Sequence, residues 1–129
     1  MQRKVLMDQY NAPLISVGMR SHTDIQAGIR MDMPLGAVEW HGWHAPVGLD
    51  SLVAHGLCLR AAEDVGGIVC PPFYYGMYGS IAANPWTILE EDPAVITGAL
   101  STTLKRLEES GVRAAVIYSG HFALKQIEM

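Results

Sequence analysis

Apolar and polar positions run along this chain in blocks, and the period changes from block to block. Ile29 to Val38 reads as a strand whose last residues are bent by Pro34 and Gly36. From Ser51 the apolar positions Leu52, Val53, Leu57, Leu59 and Val65 recur at helical spacing, and Gly66-Gly67 stops the element. Ile68-Val69-Cys70 predicts a short buried strand ended by Pro71-Pro72. A long loop follows, carrying Tyr74, Tyr75, Gly76, Tyr78, Gly79 and Trp86. Asp92-Pro93 opens a second helix, with Asp as N-cap and Pro as the first helical residue. Its stripe is Val95, Ile96, Ala99, Leu100, Leu104 and Leu107, and Ser110-Gly111 ends it. Arg113 to Tyr118 reads as a continuous apolar strand, of the kind covered on both faces. A last helix is expected from near Phe122. Upstream, residues 1–20 read as irregular, with a turn at Asn11-Ala12-Pro13, and Ser21-His22-Thr23-Asp24 can cap a short helix to about Ala27-Gly28.

The order β-loop-α-β-loop-α-β-α predicts an α/β fold, a parallel sheet with helices on both faces. At 129 residues the expectation is one domain, 1–129. Composition narrows the function classes. Half the residues are hydrophobic and 17% charged, ordinary for a globular chain. A net charge of −4 with no basic block argues against nucleic acid as a partner. No segment approaches the roughly 20 apolar residues that cross a bilayer, and no membrane partner is expected. Met1 to Met7 starts like a signal peptide but meets Asp8 before an apolar core develops, so a cytoplasmic location is the expectation. Cys58 and Cys70 are not in CxxC spacing; they read as two buried small hydrophobes, with a disulfide or thiolate ligand as alternatives.

The chemistry sits at the ends of the predicted strands. Glu39-Trp40-His41-Gly42-Trp43-His44, followed by Asp50, puts two carboxylates and two imidazoles directly after the first apolar run. His121 follows the last one, in Ser119-Gly120-His121. Carboxylate and imidazole together suit Zn²⁺ or Mn²⁺. In open sheets of this class ligands bind beyond the carboxyl ends of the strands, which is the reason to expect the two clusters to meet. Glu39 and His41, two apart, would point the same way in an extended segment. Asp50 has two readings, metal ligand and N-cap of the helix from Ser51. His121 likewise reads as a ligand or as a helix N-terminal residue with a free imidazole. His44 fits a group facing substrate better than a ligand, and His22 and His55 read as helix-face or surface histidines. Trp40, Trp43, Trp86, Tyr74, Tyr75 and Tyr78 could wall a pocket, although loop aromatics are more often packing. No GxGxxG or P-loop follows a strand, which leaves little for a nucleotide-binding reading.

The run from Pro34 to Asp50 closely resembles the signature of the creatininase (creatinine amidohydrolase) family. That signature is P-x-G-[AS]-x-E-Q-H-G-x-H with an Asp eleven residues after the Glu, and Glu39, His41, His44 and Asp50 fit it without a gap. Pro71-Pro72-Phe73-Tyr74-Tyr75-Gly76 resembles the family's Pro-rich strand end and Y-G loop. Pro85-Trp86-Thr87 looks like its P-G-T turn, and Ser119-Gly120-His121 like its N-G-H segment. The likeness runs from about Ser21 to the end of the chain.

The resemblance implies a three-layer α/β/α sandwich with a mainly parallel sheet and a site for two divalent ions, Zn²⁺ or Mn²⁺. It implies hydrolysis of a cyclic amide or related C–N bond in a small-molecule substrate, and a homo-oligomer, commonly a hexamer. Carried over, Glu39 and His121 would hold one ion, His41 the other, and Asp50 would bridge both. Trp40 stands where the family has Gln, Ser119 where it has Asn, and Ala123 where creatininase itself has a Glu completing the second ion's shell. The 77–84 loop lacks the family's usual His before Pro, and Met129 is reached before the family's later His-Gly and Glu-Thr-Ser region. The expectation is therefore the N-terminal part of the family's fold, with a sheet edge and an apolar helix face left uncovered. The alternative to a working amidohydrolase is a truncated non-catalytic relative that binds one metal or serves as a structural subunit.

Overall fold

The computed structural model describes residues 30–79, 84, 86–90 and 92–128. The helix expected at 21–28 and the irregular segment before it lie outside the described residues, as does Pro85. Chain order is β1 (Arg30–Leu35), α1 (Leu49–Val65), β2 (Ile68–Val69), β3 (Gly76–Met77), β4 (Leu89–Glu90), α2 (Pro93–Glu109), β5 (Ala114–Ser119) and α3 (Leu124–Ile127). The main sheet is β2-β1-β5 and fully parallel, and β3 and β4 form a second, two-stranded parallel sheet.

Each parallel pair needs a crossover, and the two long helices supply them on opposite faces. Alternation along β1 sends Met31, Met33 and Leu35 to one side, where they join Ile68, Met77, and Ile96 and Leu100 of α2 in the apolar core. Asp32 is turned the other way, toward Cys58 of α1. It is buried but paired, its Oδ2 accepting from Arg30 at 2.6 Å. The result is the α/β/α layering expected from the block pattern.

Several elements differ from the expectation for physical reasons. β1 stops at Leu35 rather than Val38, because the chain turns at Gly36 to meet the loop after β2: Phe73 donates to Pro34 at 2.8 Å, and Gly36 donates back to Phe73 at 2.9 Å. α1 starts at Leu49, with Gly48 as N-cap. It buries Asp50, Ser51, Ala54 and Cys58, not the stripe of larger apolar residues, and Leu52, Val53 and Leu57 are exposed. Small residues let α1 lie close on the sheet, and the apolar positions at helical spacing are left on its outer face. The long loop contains β3 and β4, too short to leave a periodic signal. β5 is an edge strand among the described residues, and Ala114 to Tyr118 are exposed on both faces. It is apolar as expected and uncovered. α2 follows the pattern closely: the Asp92 carboxylate accepts from the Ala94 amide at 2.9 Å, and Pro93 is the first helical residue. α3 begins at Leu124, two residues later than expected.

The register matters most for function. Leu35 lies opposite Ser119, so β1 and β5 end level. Gly120 then donates to the Leu35 carbonyl at 2.8 Å, which sets the chain before His121 beside the chain before Glu39. The N-terminus of α1 closes onto this junction. A Cβ on Gly120 would stand 2.2 Å from the Asp50 carbonyl oxygen, and one on Gly36 would stand 2.3 Å from Ser51. Only glycine allows that approach.

Gly120→Ala is expected to cost about 1–3 kcal/mol by overpacking, with the urea midpoint shifted accordingly. Gly56→Ala, on α1 with nothing within 4 Å of its added methyl, should be neutral or stabilising by up to about 1 kcal/mol.

Candidate metal centre

Four side chains predicted from two separated segments converge at the junction. Glu39 enters from the turn after β1, held by a bond from its amide to the Val47 carbonyl at 2.9 Å that pinches the 40–47 loop shut. Asp50 is carried on the first turn of α1 and makes no capping bond, so its N-cap reading is not what the structure shows. His121 follows β5, and its imidazole is not free. Nδ1 stands 3.0 Å from Asp50 Oδ2 and 3.2 Å from Glu39 Oε2. One ligand atom from each of Glu39, Asp50 and His121 lies within 4.8 Å of the others, and all three residues are buried. His41 reaches the group from the outer, half-buried side, its Nε2 3.1 Å from Asp50 Oδ1 and 3.9 Å from Glu39 Oε2. Asp50 thus presents one carboxylate oxygen to each imidazole.

The far nitrogens decide what the near ones can do. His41 Nδ1 lies 2.9 Å from the Glu39 carbonyl. His121 Nε2 faces two carbonyls, that of Met77 at 3.2 Å and that of Tyr78 at closer range. A carbonyl only accepts, so both far nitrogens carry the proton. In a neutral imidazole the near nitrogen is then a bare lone pair, and both near nitrogens point at carboxylate oxygens, which also only accept. Acceptor facing acceptor at 3.0–3.2 Å is repulsive unless something positive stands between them. Among the described residues the two carboxylates have no Lys or Arg ion-pair partner, only these imidazoles. Imidazoles anchored through the outer nitrogen, with inner lone pairs gathered around two carboxylates, are the donor set of a divalent cation. The residues present fit the group.

The backbone around His121 is shaped to this end. Tyr78 adopts φ 52°, a left-handed conformation costly for a residue with a side chain, and its carbonyl is the close acceptor for the imidazole. Lys125 Nζ lies 3.9 Å from the centre of the Tyr78 ring. The sequence-level aromatics are spread wider. Trp40 and Trp43 meet edge to face at 6.1 Å, but Trp43 is 91% exposed. His44 is exposed at the tip of the same loop, and Tyr75 and Trp86 are exposed as well. They do not form a closed wall among the described residues. His55 is half-buried in α1, where desolvation holds its pKa below the ordinary histidine value. His22 lies outside the described residues. Sequence reasoning missed the Met77 and Tyr78 carbonyls and the buried Gln126, because backbone acceptors and lone amides leave no pattern.

Geometry and relatives agree. The family model of creatininase (creatinine amidohydrolase) matches residues 22–128. The chain belongs to the creatininase family. A creatinine amidohydrolase from Pseudomonas putida is 32% identical over 95 residues, covering 70% of this chain and 36% of that protein. Among solved structures, a creatininase described as the Mn form aligns with TM-score 0.76 and 28% identity, over 84% of this chain and 46% of that one. A mutant creatininase of Zn–Zn type aligns with TM-score 0.74 and 28% identity over the same shares. The chain therefore spans about a third of the curated relative and under half of these creatininase structures.

The two thiols stand apart from this centre and are free. Burial, reinforced by the Asp32 carboxylate, pushes Cys58 and Cys70 up to about 11. The fold thus favours the neutral thiols. Their contribution is complete below their ordinary value of 9.0 and is lost as pH rises toward about 11. Urea stability should fall across that window, and a Cys58→Ala, Cys70→Ala double variant should fall less steeply.

Proposed function

We propose that this chain carries the metal-binding half of a creatininase-type amidohydrolase, acting on a cyclic amide or related C–N bond of a small molecule. The carrying observation is the Asp50 carboxylate set between two imidazoles whose outer nitrogens are both committed to backbone carbonyls. In this reading Glu39 and His121 would hold one Zn²⁺ or Mn²⁺, His41 would hold the other, and Asp50 would serve both. Divalent ions, when bound, supply Lewis-acid polarisation and activate water at neutral pH. The chain's own residues do the rest. The carbonyls of Glu39, Met77 and Tyr78 fix which nitrogen each imidazole presents. Burial of Glu39, Asp50 and His121 keeps competing water off the inner side. His41, partly open, leaves the outer side as the face from which a substrate amide can approach.

The names of the relatives support the activity and both metals, and the mixed oxygen and nitrogen donors suit either ion. Exposed Leu52, Val53 and Leu57 on α1 and the bare faces of β5 are apolar surface that a second copy in a homo-oligomer, or the remainder of the family's fold, would cover. Free thiols support a cytoplasmic location. One observation favours a second reading, a non-catalytic relative that holds one ion. On the outer side, the described residues offer His41 and a single oxygen of Asp50 at close range.

Calorimetric titration with Zn²⁺ and Mn²⁺ separates these. Two ions per chain together with amide hydrolysis support the enzyme; one ion without turnover supports the non-catalytic relative. Asp50→Ala is expected to abolish binding of at least one ion while the far-ultraviolet dichroism is kept. Unchanged binding in that variant would remove the bridging role.

A further inference from the structure

Gln126 is polar, only 4% exposed, and carried on α3, which is a single turn. Its two amide atoms are both used, in directions that leave no ambiguity. Oε1 accepts from the Met77 backbone amide at 2.8 Å. Nε2 donates to Ser119 Oγ at 2.9 Å and lies 3.5 Å from the His121 carbonyl. Ser119 Oγ in turn donates to the His121 carbonyl at 2.6 Å. One side chain therefore ties together the peptide of Met77, the end of β5, and the backbone of His121. Space for it is reserved as well: a Cβ on Gly76 would lie 2.8 Å from Gln126 Oε1.

Met77, whose amide it holds, also faces the imidazole with its carbonyl. Met77 and Tyr78 supply the carbonyls that receive His121 Nε2–H. We propose that Gln126 is the positioning residue of the His121 arm, fixing by its two-sided amide both the carbonyls that hold the ring's outer nitrogen and the backbone from which the ring projects. The inference rests on the cation reading above for its purpose, and on hydrogen bonds alone for its geometry. Ser119 is part of the same frame. It stands where the family pattern has Asn, and here its hydroxyl links Gln126 Nε2 to the His121 carbonyl.

The test uses the full 129-residue chain and two readouts. In the metal-free protein, the His121 ring N–H should give a slowly exchanging proton resonance, which Gln126→Met should broaden away. Under titration with Co²⁺, Gln126→Met should bind about 10–100-fold more weakly, with altered visible d–d bands. Ser119→Ala, a milder change that removes the hydroxyl between Gln126 Nε2 and the His121 carbonyl, should shift the same bands in the same sense. A folded Gln126→Met that keeps both the ring resonance and the wild-type cobalt spectrum overturns the proposal. If Gln126→Met does not fold, a Ser119→Ala variant indistinguishable from wild type in both readouts overturns it equally. A ring resonance that behaves as expected in a wild-type chain unable to bind Co²⁺ sinks the cation reading and supports the frame.

Discussion

Everything in this molecule that bears on chemistry depends on one carboxylate being placed between two imidazoles. Asp50 could not stand there on a helix lying at ordinary distance from the sheet. The approach is bought by Gly36 and Gly120, which remove the atoms that would otherwise hold α1 away. It is completed by small residues, Ser51 and Ala54, on the helix face that meets the sheet. Packing and the convergence of the candidate site are therefore the same constraint here. The face of α1 is chosen for closeness rather than for apolar area, and the larger apolar side chains are left pointing outward.

Electrostatics then works within the space that packing has set. Two buried carboxylates side by side are costly, and with no Lys or Arg ion pair to either among the described residues the cost falls on whatever occupies the gap. The outer nitrogens of His41 and His121 are committed to main-chain carbonyls. The lone pairs that the rings turn inward suit a cation held against the two carboxylates. Main-chain acceptors are well suited to this duty. They cannot ionise, and they move only if the fold moves.

The sequence was informative where a residue type carries its own meaning. Glu39, His41, Asp50 and His121 were legible because acids and imidazoles at strand ends are rare without purpose, and α2 because Asp92-Pro93 is a strong start signal. The parallel α/β order followed from alternation of periods. What the pattern left undecided has a common cause. The exposed stripe on α1 and the bare faces of β5 obey the expected periodicity, but periodicity reports that a face is apolar, not what lies against it. β3 and β4, two residues each, are defined by hydrogen bonds with partners distant in sequence. Gln126 was invisible for a related reason: a single amide acquires meaning only from the peptides it happens to reach.

The left-handed backbone at Tyr78 has one more implication. A residue in that region is held there by its neighbours, and this one directly follows the short strand β3 while serving the imidazole with its carbonyl. Side chains branched at Cβ would resist the conformation most, and glycine would accept it while loosening the chain. The position thus trades conformational ease for firmness. The carbonyl that faces His121 in the candidate centre belongs to a peptide that, left to itself, would relax elsewhere.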